Sequence, residues 1–305
     1  MNDGYMDLKT ESRNHTGSRK CLPMIKSRLV LLFFIMLSAL LLLYTFGPEL
    51  KAMALMTWWN RVQKKESLLS DCGLSLEIPG GFSTPESDWF PFVMTFHADP
   101  YFSRYCRQSD LRLTVLYNFP AWSIKNRCSR LYDPRSPYYN SFYGAYVVRN
   151  SSSAPYGFHK TSDGRLECDP ASIAKIPYFD YSQLVLGDFG LKEKDFVFDW
   201  QITGLKEKAD YLGLTDWTVI ESDLRVSGAY HRPKQNVFSY NQYGRPSDTD
   251  TGTGTEDFSP AAMQGRIYAR YFPEKDVSVF LYIVASDQTV LDRCDKSILS
   301  KSRIK

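Results

Sequence analysis

Residues 266–285 read RIYARYFPEKDVSVFLYIVA, two runs rich in β-branched and aromatic residues on either side of the four-residue loop Pro273-Glu274-Lys275-Asp276. A short polar loop headed by proline between two strand-forming runs predicts an antiparallel hairpin with arms 266–272 and 277–285. A helix is expected directly after it. Ser286 is placed to cap that helix, Asp287 sits near its positive end, and Val290, Leu291, Cys294 and Ile298 make one apolar stripe.

Upstream of the hairpin the commonest pattern is again alternation. Leu74, Leu76 and Ile78 share one parity, as do Leu111, Leu113, Val115 and Tyr117, and as do Phe196, Phe198, Trp200 and Ile202. Each set predicts a half-buried strand. Residues 142–148 form a further strand candidate. So do residues 217–226, where the apolar parity changes from Trp217 and Val219 to Leu224 and Val226, a pattern expected of a bulge or a break. A second helical stretch starts at Ala171 or Asp180 and runs to about Leu186, ahead of Gly187 and Gly190. Strands outnumber helices, so the expected fold class is α+β: an antiparallel sheet with helices packed on one face, preceded by one transmembrane helix.

That preceding helix is read from residues 29–46, LVLLFFIMLSALLLLYTF, which hold no charge. At 1.5 Å per residue such a helix is about 27 Å long, close to the thickness of a bilayer's hydrocarbon layer. Arg19, Lys20, Lys26 and Arg28 lie just before it, whereas the ten residues after it hold only Lys51 as a base. The positive-inside rule then places the N-terminus in the cytoplasm and the C-terminal domain outside it. A cleaved signal peptide is the competing reading, with Ala52-Met53-Ala54 as the cleavage site, but the leader would be unusually long. The expected organisation is a cytoplasmic tail (1–28), a membrane helix (29–46) in contact with the lipid bilayer, an interfacial helix or stalk (47–69) carrying Trp58 and Trp59, and an extracytoplasmic α+β domain (70–305).

Charge divides unevenly across that span. Of 37 basic and 34 acidic residues, six and three lie in the tail, which leaves 31 of each sign beyond it. A formally neutral domain lacks the basic surface that phosphate backbones need, so no nucleic acid partner is expected. Among the six cysteines, Cys21 precedes the span and five follow it: Cys72, Cys106, Cys128, Cys168 and Cys294. Cys106 and Cys128 flank one expected strand, and a hairpin return would bring them together as a disulfide. The alternative is that all five are small buried hydrophobes.

Residues that carry chemistry are sparse. His97 and Asp99 in FHADP leave an expected strand and have the makings of a base with its orienting partner, yet no nucleophile or metal is identifiable to complete them. With His159 and His231 as the remaining histidines beyond the span, and no His-x-x-x-His or Cys-x-x-Cys spacing, no zinc site is expected. Asp248, Asp250, Glu256 and Asp257 lie in the polar segment 247–260, but their spacing is not that of an EF-hand loop. The P-loop, the dinucleotide fingerprint and G-x-S-x-G are missing, and no cofactor is expected. Asn150-Ser151-Ser152 is a glycosylation sequon. Aromatics cluster at Tyr138, Tyr139, Phe142, Tyr143 and Tyr146, at Tyr178, Phe179 and Tyr181, and at Phe238, Tyr240 and Tyr243. Such clusters fill a sheet core or build a binding hot spot. The function expected from this pattern is a membrane-anchored domain that binds another protein as an accessory or inhibitory component. A membrane-anchored hydrolase or transferase acting on envelope or glycan substrates is the alternative.

Overall fold

The computed structural model describes residues 22–79, 94–96, 99–108, 111–118, 122–123, 128–132, 134–151, 154–185, 193–228 and 259–305. The chain divides into two compact units, Met1–Leu50 and Lys51–Lys305. Helix α1 is assigned over Leu22–Lys65, and that assignment runs through Gly47 and Pro48. Its window Ser27–Tyr44 has a mean hydropathy of 2.3 and none of it is buried, which makes it the one helix among the described residues long and apolar enough to cross a membrane. This is compatible with a single-pass anchor.

In the second unit, α2 (Leu68–Asp71) leads to β1 (Leu76–Glu77), β2 (Met94–Phe96), α3 (Asp99–Cys106) and β3 (Leu111–Asn118). The short pair β4 (Trp122–Ser123) and β5 (Cys128–Ser129) precedes β6 (Phe142–Asn150). A second short pair, β7 (Phe158–Lys160) and β8 (Leu166–Cys168), is followed by α4 (Pro170–Ile173), α5 (Lys175–Phe179) and a π-helical turn at Asp180–Val185. The chain ends with β9 (Phe198–Tyr211), β10 (Leu214–Ser227), β11 (Pro260–Phe272), β12 (Val277–Ala285), α6 (Gln288–Ser297) and β13 (Arg303–Ile304). Seven strands form one sheet in the order β2-β3-β6-β12-β11-β10-β9, every pairing antiparallel. The α+β class and the antiparallel sheet expected from alternation are what the fold contains.

The predicted hairpin is present, with Phe272 opposite Val277 across the four-residue loop. Its following helix is capped one residue later than expected: Asp287 accepts from the Val290 N–H, while Ser286 is drawn away to the Pro137 carbonyl. Val290, Leu291, Cys294 and Ile298 are all buried, as the stripe predicts.

Helical cover extends further than one face. One apolar cluster joins Phe102 and Cys106 of α3 and Ile173, Ile176 and Phe179 of α4 and α5 to Val115, Tyr146, Phe280 and Ile220 of the sheet. The other joins Leu68 and Leu69 of α2 and Leu291 and Cys294 of α6 to Ala145, Val147, Leu281 and Trp217. Strands β6 and β12 therefore lie in a three-layer sandwich, and every residue of β12 is buried. This arrangement also accounts for the parity change in β10. Trp217 and Val219 meet one cluster while Ile220, Leu224 and Val226 meet the other, so both parities are apolar because both faces are covered.

Candidate functional site

Two places in the sheet stand out, one at its rim and one at its middle. The rim is β9, the last strand in the order. It turns into β10 through Leu212 and Gly213, both at positive φ (53° and 74°), the geometry that matches the twist of a tight hairpin. On β9, Phe198 and Trp200 are half-buried against the first cluster, and the stripe continues outward to Ile202 and Leu205, which are 41% and 51% exposed. Spacing alone would put Leu205 on the opposite face from Ile202. Ile202 pairs with Ser222 and Gly204 with Glu221, leaving Thr203 without a partner on β10, and this bulge returns Leu205 to the face it shares with Trp200. Its partner Ile220 and Trp200's partner Leu224 belong to the same apolar cluster. The result is a stripe of Trp200, Ile202 and Leu205 along one strand, flanked by Asp199, Lys206, Glu207 and Lys208. No described strand pairs with the outer edge of β9.

The middle is Asp180, fully buried at the first residue of the π-helical turn. Tyr146 on β6 donates to its Oδ1 at 2.5 Å, and Tyr282 on β12 lies beside it. Its Oδ2 has no hydrogen-bond partner among the described residues. Burial in an apolar surround pushes the Asp180 carboxyl up to about 7, with the tyrosine hydroxyls pulling the other way. Room for the Tyr282 hydroxyl comes from Gly144: a Cβ there would stand 2.9 Å from that oxygen and 2.4 Å from the Leu116 carbonyl. Next to Asp180, Tyr181 donates to the Asn140 carbonyl at 2.7 Å, and the Asn140 amide donates to Ser227 O. The group combines a raised proton affinity with no exposed surface.

A third polar group is fully accounted for by structure. Arg266 on β11 bonds Glu221 at 2.6 Å, Asp295 at 2.7 Å and Asp292 at 3.1 Å, and Tyr211 and Tyr268 both donate to Asp295. Burial works against the guanidinium charge, but the bond and charge of Glu221 outweigh it and hold Arg266 above its ordinary range. Three strands and α6 are thereby joined at one cation. Among the described residues no group of three or more His, Cys, Asp or Glu side chains is arranged to hold a metal ion.

The residues singled out from sequence are scattered. His97 lies outside the described residues; Asp99 opens α3, with its side chain outside them too. His159 is exposed on β7, 3.7 Å from Glu167 of β8. The acidic segment with Asp248, Asp250, Glu256 and Asp257, together with His231, Phe238, Tyr240 and Tyr243, lies outside the described residues. The Cys106 thiol sits 3.6 Å from the Tyr156 hydroxyl, its acidity lowered by burial, while the Cys128 side chain lies outside the described residues. The first two aromatic clusters serve the core: Tyr138, Phe142, Tyr143, Tyr146, Phe179 and Tyr181 are buried. The sequence marks Asp180 only as a candidate helix start, although a lone acid inside the aromatic run Tyr178-Phe179-Asp180-Tyr181 signals a buried carboxyl. The chain matches no family model, no curated protein and no solved structure.

Proposed function

We propose that the chain is a single-pass membrane protein, anchored in the lipid bilayer by residues 29–46 with its N-terminus in the cytoplasm. Its extracytoplasmic domain acts by binding another protein, as an accessory or inhibitory component. The observation that carries this reading is the rim of β9, where Ile202 and Leu205 stand in solvent along a backbone edge that no described strand pairs with. An edge of this kind takes an extended segment of a partner by strand addition, the backbone supplying affinity and the stripe supplying choice. Orientation rests on the basic residues before the span.

The test has two arms. A reporter active only outside the cytoplasm works when fused after Lys305 and fails when fused before Asn2; the reverse pattern overturns the orientation. Ile202→Asp combined with Leu205→Asp abolishes capture of the partner from membrane extracts, while His97→Ala and Asp99→Ala leave it intact. The alternative, a hydrolase or transferase, takes over if either the His97 or the Asp99 variant folds normally and loses all function.

A further inference from the structure

We propose that the protein that occupies the β9 edge is a second copy of this chain, paired antiparallel about a two-fold axis between Ile202 and Thr203. This inference rests on the protein-binding reading above and names its partner. The argument is one of register. A two-fold axis perpendicular to a continuous sheet sets residues opposite one another only if they share a face. The bulge at Thr203 makes this possible for pairs that straddle it, because Trp200 and Leu205 then lie on one face and Asp199 and Lys206 on the other.

In this register Trp200 faces Leu205 of the second copy, and Ile202 lies beside its own counterpart at the axis. The two exposed stripes therefore close into one apolar layer, with each copy covering the part of the stripe that its own helices leave bare. On the other face Asp199 meets Lys206, twice by symmetry. Asp199 is 71% exposed at its side chain and held only by Arg225 at 3.5 Å, so it is free to take a second cation. The register centred on Lys206 meets like charges, since it sets that lysine against itself. Lysines and bulges on an edge strand ordinarily guard it against indiscriminate pairing. Here the same residues leave this alignment open and close the one centred on Lys206. Tethering both copies in one membrane raises their effective concentration, so a modest interface suffices.

The test uses the full chain in phosphatidylcholine vesicles. Ile202→Cys, treated with a short bis-maleimide, gives a dimer band above the baseline set by the six native cysteines, whereas Asp216→Cys at the hairpin tip gives none above it. Energy transfer between labelled copies falls by about tenfold in Asp199→Lys and in Lys206→Asp, since each reversal sets like charges together. It returns in the double exchange. Within one chain these positions are about 23 Å apart along the strand, so rescue is a signature of contact between copies. A chain that stays monomeric in the vesicles, a dimer indifferent to all three charge variants, or a double exchange that fails to restore it overturns the proposal. If the chain is monomeric yet Ile202→Asp with Leu205→Asp still loses a partner from extracts, this inference falls while the protein-binding reading stands.

Discussion

Strands β12 and β9 belong to one sheet and were both legible as strands, yet they live in opposite environments. Every residue of β12 is buried, whereas β9 keeps most of its side chains in water. Two strands separate them, β11 and β10. Distance from the middle of the sheet, more than strand propensity, sets how much a residue matters: inside, both faces and both backbone edges are occupied, while at the rim no described strand pairs with one edge and part of a face is exposed.

The sharpest way to break this contrast is to cut a large side chain at each place. Phe280 on β12 is fully buried between Phe158 and Tyr156. Phe280→Ala destabilises the domain by about 3–5 kcal/mol, the range for deleting a core aromatic, as read by urea unfolding of the purified chain in detergent. A loss below about 1 kcal/mol would show that the middle is not tightly packed.

Asp180 probes the middle through pH. Its carboxyl stands at about 7 when folded, against about 3.9 when unfolded. The folded chain keeps a proton that the unfolded chain releases above about pH 4, so the stability from Asp180 is complete below that pH and drains away as the pH rises to about 7. Over that window the wild-type chain loses up to about 4 kcal/mol relative to Asp180→Asn. Parallel stability curves for the two proteins from pH 4 to 8 would show that Asp180 is ionised throughout.

Glycines show the same contrast at smaller scale. At Gly144 a methyl group would press on a backbone carbonyl at 2.4 Å, whereas at Gly204 on β9 it would meet only Glu221 side-chain carbons at 3.5 Å or beyond. Gly144→Ala therefore costs about 1–3 kcal/mol by overpacking and Gly204→Ala is close to neutral. Equal melting temperatures for the two variants would remove the distinction. Smallest of all, in the monomeric chain Leu205→Lys changes stability by no more than about 0.5 kcal/mol, because about half of the residue already lies in solvent there. If that variant melts like Phe280→Ala, the rim is not free.

Local pattern alone gives the apolar helix across residues 29–46, the hairpin 266–285 with its loop, the helix that follows, and most strands, because each is written with the period of its own backbone. Even the two-sided burial of β12 had a local trace, an almost unbroken apolar run where a one-faced strand would alternate. Tertiary packing settles which strand is central and which is the rim, since strand order is a matter of long-range pairing that period-two alternation does not encode. It also decided that Asp180 is sealed against Tyr146 and Tyr282, and that a single unpaired residue at Thr203 turns Leu205 to the face of Ile202. A bulge is a property of two strands in register, and neither strand's sequence contains the other's count of residues.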